Sequence, residues 1–461
     1  MVLSIAGMHP RSLSVKILFL GTALTFLLFL YLYTTGGWSS FSPESFAGPN
    51  WAPGTCSPKG YANGRWRPHN RSNAQRMIHK NQSLVFSGFE GCASSREFDW
   101  HLASDNEGQW DRFPGAQSWL WEVGKADGCE NMEDFNKEKV VRDLVEQGGW
   151  MLLGDSITEG HFFSLSCMLY PHVIATPTYT PNSYFDRAWP QNLYLNPNSY
   201  LLRPSTPVHK RLTLPPGFNI STTALATFRR IDLLFTQEEL VDLHNTIHPN
   251  PPANFSLFSE EAAWSISPSE YMPMFLEGGY STMVVSTAGH WTTTLFGAYG
   301  DRATVKLEKA RQGLDGVIDF FAHAMKKWAD GVQRALQDAD KAEGGKRRRQ
   351  VLVRAYLPGH EDCHKTRTPW NEIQPFVWSW YNWGRIWEFN DVFEKILTGS
   401  AGRYPNIHYL AIDRPGRLRP DAHATGDCLH IMAGAGVLEG WSHYIWHYLT
   451  KEVGRSRQTV A

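Results

Sequence analysis

A serine hydroxyl attacks a carbonyl at neutral pH only when a base removes its proton, and that base works best when a carboxylate fixes its tautomer. Two distant stretches of this chain carry those parts. Gly154-Asp155-Ser156 directly follows the apolar run Trp150 to Leu153, and Asp427-Cys428-Leu429-His430 lies close to the C-terminal end. The i to i+3 spacing of Asp427 and His430 on a tight loop lets the carboxylate reach Nδ1 of the imidazole while Nε2 points at a serine. The predicted chemistry is a covalent acyl intermediate on Ser156, with His430 as base and Asp427 as its orienting group. Asp421-Ala422-His423 carries the same residue types slightly earlier. Hydrogen bonding within the loop is its plainer reading, and His423 is the alternative base.

A serine placed immediately after a buried strand sits where ligands bind in open α/β sheets. The residues that follow, Phe162, Phe163, Leu165, Met168 and Leu169, have helical spacing. Ser156 is thus expected near a helix N-terminus, whose free N–H groups stabilise developing negative charge. The backbone N–H of Ser156 is the first oxyanion donor to consider, with Gly154, Asp155, Gly289 and His290 as candidates to line the site. For Asp155 the competing role is a helix N-cap, and for His290 a hydrogen-bonded structural histidine.

Four short apolar runs read as buried strands: Trp150 to Leu153, Thr282 to Val285, Gln350 to Arg354 and Tyr409 to Ile412. Between them a helical period runs from Val305 to Leu336, and an amphipathic helix is expected after His430. Strands alternating with helices predict an α/β fold with a parallel sheet flanked by helices and carrying large loop insertions. Residues 171–270, rich in Pro, Asn and Thr, give no regular pattern and are open to being a lid or a substrate wall.

The uncharged run Ile17 to Tyr33 is long enough for a membrane helix, with Arg11 and Lys16 before it and no Lys or Arg after it until Lys59. This predicts a type II anchor: a cytosolic tail over 1–16, a span over 17–33, a stem over 34–85, a lumenal catalytic domain over 86–450 and a tail over 451–461. A cleaved signal peptide is the competing reading, since small residues follow the run. All six cysteines come after it, as do N-x-[ST] sequons at Asn70, Asn81, Asn219 and Asn254, which agrees with the secretory pathway. With a formal net charge of -1, nothing argues for nucleic acid. No cysteine or histidine spacing suggests a metal. The 19 Trp, five of them at 370, 378, 380, 383 and 387, suit either core packing or the stacking of sugar rings.

The ordered set Gly154-Asp155-Ser156, Gly289-His290-Trp291, Asp421-Ala422-His423 and Asp427-Cys428-Leu429-His430 resembles the trichome birefringence-like / PC-esterase family of the GDSL (SGNH) hydrolase superfamily. The resemblance runs from about residue 90 to 450, with Trp119, Trp121, Cys129 and Phe135 similar to the family's approach to its first strand. Membership would imply an SGNH-like fold and Golgi O-acetylation of a polysaccharide or other glycan, with Ser156, Asp427 and His430 in the catalytic roles. No bound cofactor is implied; the acetyl donor would be acetyl-CoA or a carrier derived from it. Two departures stand out. Glu159-Gly160-His161 replaces the family's Arg-Asn-Gln, and Thr287 replaces an Asn before Gly-His-Trp, which removes a side-chain oxyanion donor there. A carbohydrate esterase and an inactive glycan-binding protein are the alternatives. Cys363 and Cys428 are expected to pair, because loops after parallel strands gather at one sheet edge and the resemblance points the same way, although six cysteines allow 15 pairings.

Overall fold

The computed structural model describes residues 55–453, apart from 70–75, 106–109, 111, 125–127, 183–188, 301–311, 346–348, 379, 400–401 and 425–426. The chain divides into Met1–Asn50 and Trp51–Ala461, and the first unit, with the predicted span Ile17 to Tyr33, lies outside the described residues. So do the sequon at Asn70 and the opening of the predicted helical run at Val305. Among the described residues no helix is long and apolar enough to cross a membrane.

Strand β3 (Gly149–Gly154) is buried at every position, which is what an unbroken apolar run in the middle of a sheet requires. It lies at the centre of a seven-stranded sheet of order β4-β5-β6-β3-β7-β8-β9, where the others are Val173–Thr176 (β4), Gln191–Leu195 (β5), Ala224–Arg230 (β6), Tyr280–Ser286 (β7), Gln350–Arg354 (β8) and Ile407–Leu410 (β9). From β6 to β9 all pairings are parallel, while β4 and β5 add an antiparallel edge. The predicted α/β class holds, as a mixed sheet. Gly154 is level with Arg230 of β6 and Ser286 of β7, so three strands end together just where Ser156 begins.

Helices flank the sheet: α1 (Lys137–Glu146), α2 (Ser156–Met168), α3 (Gln237–Ile247), α4 (Pro268–Glu277), α5 (Gly313–Ala342), α6 (Ile386–Thr398) and α7 (Val437–His447). Asp155 caps α2 by accepting from the Ile157 N–H. Ile157 through Cys167 are all buried, so α2 is a core helix enclosed between the sheet and α7. At Gly154 a Cβ would lie 2.3 Å from Thr158 Oγ1 and 2.6 Å from the Ser286 carbonyl, so only glycine lets the strand turn into the helix here.

Three expectations are corrected. Residues 171–270 are not simply a loop wall: they supply β4 at the edge, β5 with alternating burial, and β6, which is buried at nearly every position but interrupts its apolar residues with Thr227 and ends on Arg229 and Arg230. The last strand is Ile407–Leu410, two residues earlier than the apolar run suggests, because Leu410 pairs with Arg354 and the ladder ends there. Within the predicted stem, the described residues from Thr55 onward include packed structure. Cys56 is bonded to Cys129, β1 (Arg65–Pro68) pairs with β2 (Trp119–Glu122), and buried Trp66 donates to the Pro415 carbonyl. At the other end Glu452 is buried and accepts from the Cys56 N–H, so the domain also extends past residue 450. Polar, glycine-rich composition made the first segment look unstructured; a disulfide, the β1–β2 pairing and Trp66 hold it.

Replacing both Cys56 and Cys129 by serine should lower unfolding free energy by up to about 4 kcal/mol, the chain-entropy figure for a loop of this length. Denaturant titration of wild type and variant measures it; an unchanged midpoint would mean the 55–68 segment is not anchored through this bond.

Candidate active site

Ser156 is the first residue of α2, so its N–H belongs to the first-turn amides that have no partner within the helix. Its Oγ lies 2.7 Å from His430 Nε2, across a sequence separation of 274 residues. His430 Nδ1 is 2.9 Å from Asp427 Oδ2, while Asp427 Oδ1 accepts from the backbone N–H of Leu429 at 2.9 Å and of His430 at 2.8 Å. A carboxylate accepts only, which assigns the Nδ1–H tautomer and leaves Nε2 free to accept from the serine. Burial disfavours the Asp427 charge, but the hydrogen bond and charge of His430, together with the two backbone N–H groups, outweigh it and hold the carboxyl below its ordinary value. The edge of Trp100 meets the His430 ring at 4.8 Å and 67° and limits its rotation.

Over Ser156 lies a narrow crevice of about 10 Å³ lined by Trp100, His101, Ile157, Leu357, Ile431 and Leu438 among others. That is room for roughly one water-sized group. His101 stacks on Phe163 at 4.4 Å, and burial, reinforced by His430 and Arg96, pushes its pKa down to about 3, so it adds no charge beside the base.

The other predicted residues divide. Asp155 does not line the crevice: beyond the cap, its Oδ2 accepts from the Tyr356 hydroxyl at 2.7 Å, and the side chain is buried. Gly154 is likewise buried at the strand end, with its carbonyl accepting from Ile231. Gly289 packs on Tyr356, whose hydroxyl would be 2.1 Å from an added Cβ, so this glycine makes room for the partner of Asp155. His290 faces buried Asp232 at 3.7 Å. The Thr287 hydroxyl is committed to the Asp232 carbonyl at 2.6 Å. In place of the family's Arg-Asn-Gln, Glu159 is buried against Arg96 at 2.6 Å and Gln191 at 2.5 Å, and His161 meets Ser442 at 2.9 Å.

Asp421 and His423 brace the loop from behind. Asp421 pairs with Arg419 through both oxygens, at 2.9 and 3.0 Å, with both side chains fully buried. The same guanidinium lies over Trp66 and bonds the carbonyls of Ala116 and Ala435. His423 Nε2 is 2.6 Å from His360 Nδ1, and its Nδ1 is 3.2 Å from the His430 carbonyl, so this ring supports the loop and His430 alone contacts Ser156. His360 donates from Nε2 to the Arg417 carbonyl, and burial pushes its pKa down to about 4. The predicted Cys363–Cys428 bond is present, joining the Asp427–His430 turn to the loop after β8, along with Cys92–Cys167. Cys363, His364 and Cys428 cluster closely enough for a metal, but both sulfurs are consumed by the disulfide.

Nothing in the sequence marks Trp100, His101, Tyr356, Leu357 and His360, because they reach the site through residues far away in the chain. No family model matches the chain, and no curated protein matches it.

His101 and His360 are neutral when folded and have depressed values, whereas in the unfolded chain they titrate near 6.5. Between about pH 6.5 and 4 the unfolded state binds more protons, so stability is fully present above 6.5 and declines as pH falls. Calorimetry from pH 7 to 4 should show a falling melting temperature, less steeply in His360→Asn; a flat profile would contradict the buried neutral rings.

Proposed function

We propose that this chain is a serine-dependent O-acyltransferase that moves an acetyl group to a hydroxyl of a glycan or polysaccharide through an acyl-Ser156 intermediate. The observation that carries the reading is the relay Asp427 Oδ2, His430 Nδ1, His430 Nε2, Ser156 Oγ, with contacts of 2.9 and 2.7 Å. In the first half-reaction Ser156 Oγ attacks the donor carbonyl as its proton passes to His430 Nε2. Asp427 stabilises the imidazolium, and the donor's leaving group departs with that proton. The Ser156 N–H, a first-turn amide of α2 without a partner in the helix, serves as the oxyanion donor in this reading. In the second half-reaction a sugar hydroxyl gives its proton to His430 and attacks the acyl carbonyl, the acyl–Oγ bond breaks, and Ser156 Oγ takes that proton back from His430.

The narrow crevice favours a short acyl chain, with a methyl group close to the one water-sized space over Ser156. The mixed sheet with its nucleophile at a strand end and base on a C-terminal loop is consistent with an SGNH-like hydrolase fold, and the similarity of the four motifs to the trichome birefringence-like / PC-esterase family supports acetyl as the group and glycan as the acceptor. The donor class is an activated acetyl, acetyl-CoA or a carrier derived from it. Three disulfides, and exposed asparagines in the sequons at 81, 219 and 254, support residence in an oxidising secretory compartment, in the Golgi and type II by the sequence reading. Hydrolysis is the second reading: Ser156 is only half-buried, so water can compete with the sugar for the acyl-enzyme.

A fluorophosphonate probe should label Ser156, and an activated acetyl donor should leave an acetyl group on the Ser156 peptide by mass spectrometry. Ser156→Ala should abolish both, His430→Ala nearly so, and Asp427→Asn should lower turnover by up to about 10⁴-fold. Acetyl appearing on added oligosaccharide identifies a transferase, and acetate release alone an esterase. Absence of both adducts would remove the enzyme reading.

A further inference from the structure

A carbonyl attacked by Ser156 gathers negative charge on its oxygen, and acyl-transfer sites hold that oxygen with more than one aimed donor. The Ser156 N–H supplies the first. Donors at the neighbouring strand ends are already committed. After β6 the N–H of Ile231 donates to the Gly154 carbonyl at 3.0 Å and that of Asp232 to the Trp264 carbonyl at 2.7 Å, and after β7 the Thr287 hydroxyl is bonded to the Asp232 carbonyl. We infer that the second donor is the Nε2–H of His101, which makes this histidine a catalytic residue that binds the oxyanion of the tetrahedral intermediate. The inference rests on the acyl-transfer reading for the reaction, and on the crevice for the choice of residue.

The wall of the crevice selects His101. Apart from Ser156, His430, Trp100 and His101, the lining is aliphatic side chains and Gly160. His101 is 3 % exposed, and its Nε2 is a buried polar atom with no hydrogen-bond partner. Burying such an atom unmatched is costly, and next to a reacting group it gains its partner when the carbonyl oxygen arrives. The Ser286 hydroxyl at the end of β7 is unmatched as well, but Ser286 does not border the crevice. Trp100 borders it and packs on the ring of the base.

The ring is also held in place before any substrate enters. It stacks on Phe163 with centroids 4.4 Å apart and planes 16° from parallel, and it meets Trp100 at 5.0 Å and 70°. The His101 carbonyl accepts from the Ala433 N–H at 2.9 Å. Phe163 belongs to α2, the helix that Ser156 begins, and Ala433 follows closely on His430, so His101 is tied to the nucleophile's helix and to the base's loop alike. Such fixed donors cost no reorganisation at the moment of reaction. Burial, with the charges of His430 and Arg96, keeps the ring neutral. A neutral imidazole with its proton on Nε2 donates to the oxygen without repelling the imidazolium that forms on His430. As Ser156 Oγ bonds to the acyl carbon, the carbonyl pair moves onto oxygen and His101 donates to it without giving up its proton. When the leaving group departs with the proton from His430, that pair returns to the carbonyl.

The test uses the full-length chain in mild detergent and a fluorophosphonate, whose phosphoryl oxygen takes the place of the oxyanion when Ser156 is labelled. His101→Leu should slow labelling by about a hundredfold or more at an unchanged melting temperature. His101→Gln, which brings an amide N–H close to the position of Nε2, should recover about tenfold of that loss. The pH midpoint of labelling, set by His430, should stay where it is in both variants. Labelling of His101→Leu within about threefold of wild type, or a His101→Gln no faster than His101→Leu, would overturn the inference. Should a variant melt lower, the crystal structure of the labelled wild-type protein decides. Its phosphoryl oxygen should lie about 3 Å from both His101 Nε2 and the Ser156 nitrogen, and an oxygen held without His101 would overturn the inference equally. The two readings separate in the same samples: wild type that is not labelled removes acyl transfer and this role with it, whereas labelled wild type with an undiminished His101→Leu removes the role of His101 alone.

Discussion

An imidazole on a loop must stay within hydrogen-bond reach of a hydroxyl far away in the sequence. His430 and Ser156 are 274 residues apart, and the loop that carries His430 has little more than a one-residue bridge, His423 to Ile431, as regular structure. Ser156 is easily placed, since a strand end and a helix start define it. The C-terminal loop, lacking a ladder or helix to fix its course, requires other restraints, and much of the buried polar chemistry of this domain supplies them.

Those restraints converge from separate parts of the chain. Arg419, with Asp421 as counter-ion, ties the loop to Ala116 and Trp66 on one side and to Ala435 beyond the base on the other. Breaking such a fully buried pair would leave an unmatched charge, which costs far more than an exposed bridge. Arg112 bonds the carbonyls of both Cys363 and Pro420, and the Cys363–Cys428 bond fastens the turn itself. Glu439, in the first turn of α7, accepts from the N–H groups of Gly434 and Gly436 and from Ser164 on α2, so the helix of the nucleophile and the segment after the base share one carboxylate. The 55–68 segment is part of this frame, because Trp66 and Arg414, which bonds the Ala62 and Gly64 carbonyls, seat it under the loop.

The nucleophile side solves a different problem. Asp155 is buried beside Arg354, and Tyr356 donates to it, so its charge is compensated within the core. Arg354 in turn lies over Trp441 at 3.8 Å, and burial pushes its pKa down to about 10. Both Asp155 oxygens are thus committed, to the Ile157 N–H and to the Tyr356 hydroxyl, while His430 is the side chain that meets the Ser156 hydroxyl.

Much of this was legible in the residues. The β3, β7 and β8 strands and the approach of Asp427 and His430 to Ser156 follow from local patterns: apolar runs, a capped helix start, and a carboxylate three residues before a histidine; the closeness of Cys363 to Cys428 follows from the gathering of loops at one sheet edge. Residues 171–270 were not legible, because antiparallel and edge strands exposed on one side carry no continuous apolar run. Nor was the packing of 55–68, since a disulfide and a two-stranded pairing can hold a segment whose composition favours coil. Asp155, Gly154 and Gly289 stood out in the sequence as lining residues, yet their types are set by capping and close approach inside the fold, not by contact with the crevice. The placing of Trp100 and His101 beside Ser156 depends on which distant surfaces meet. Sequence periodicity determines which way a residue faces within its own element; only tertiary packing decides what stands opposite, and therefore which tryptophans are core and which remain in water.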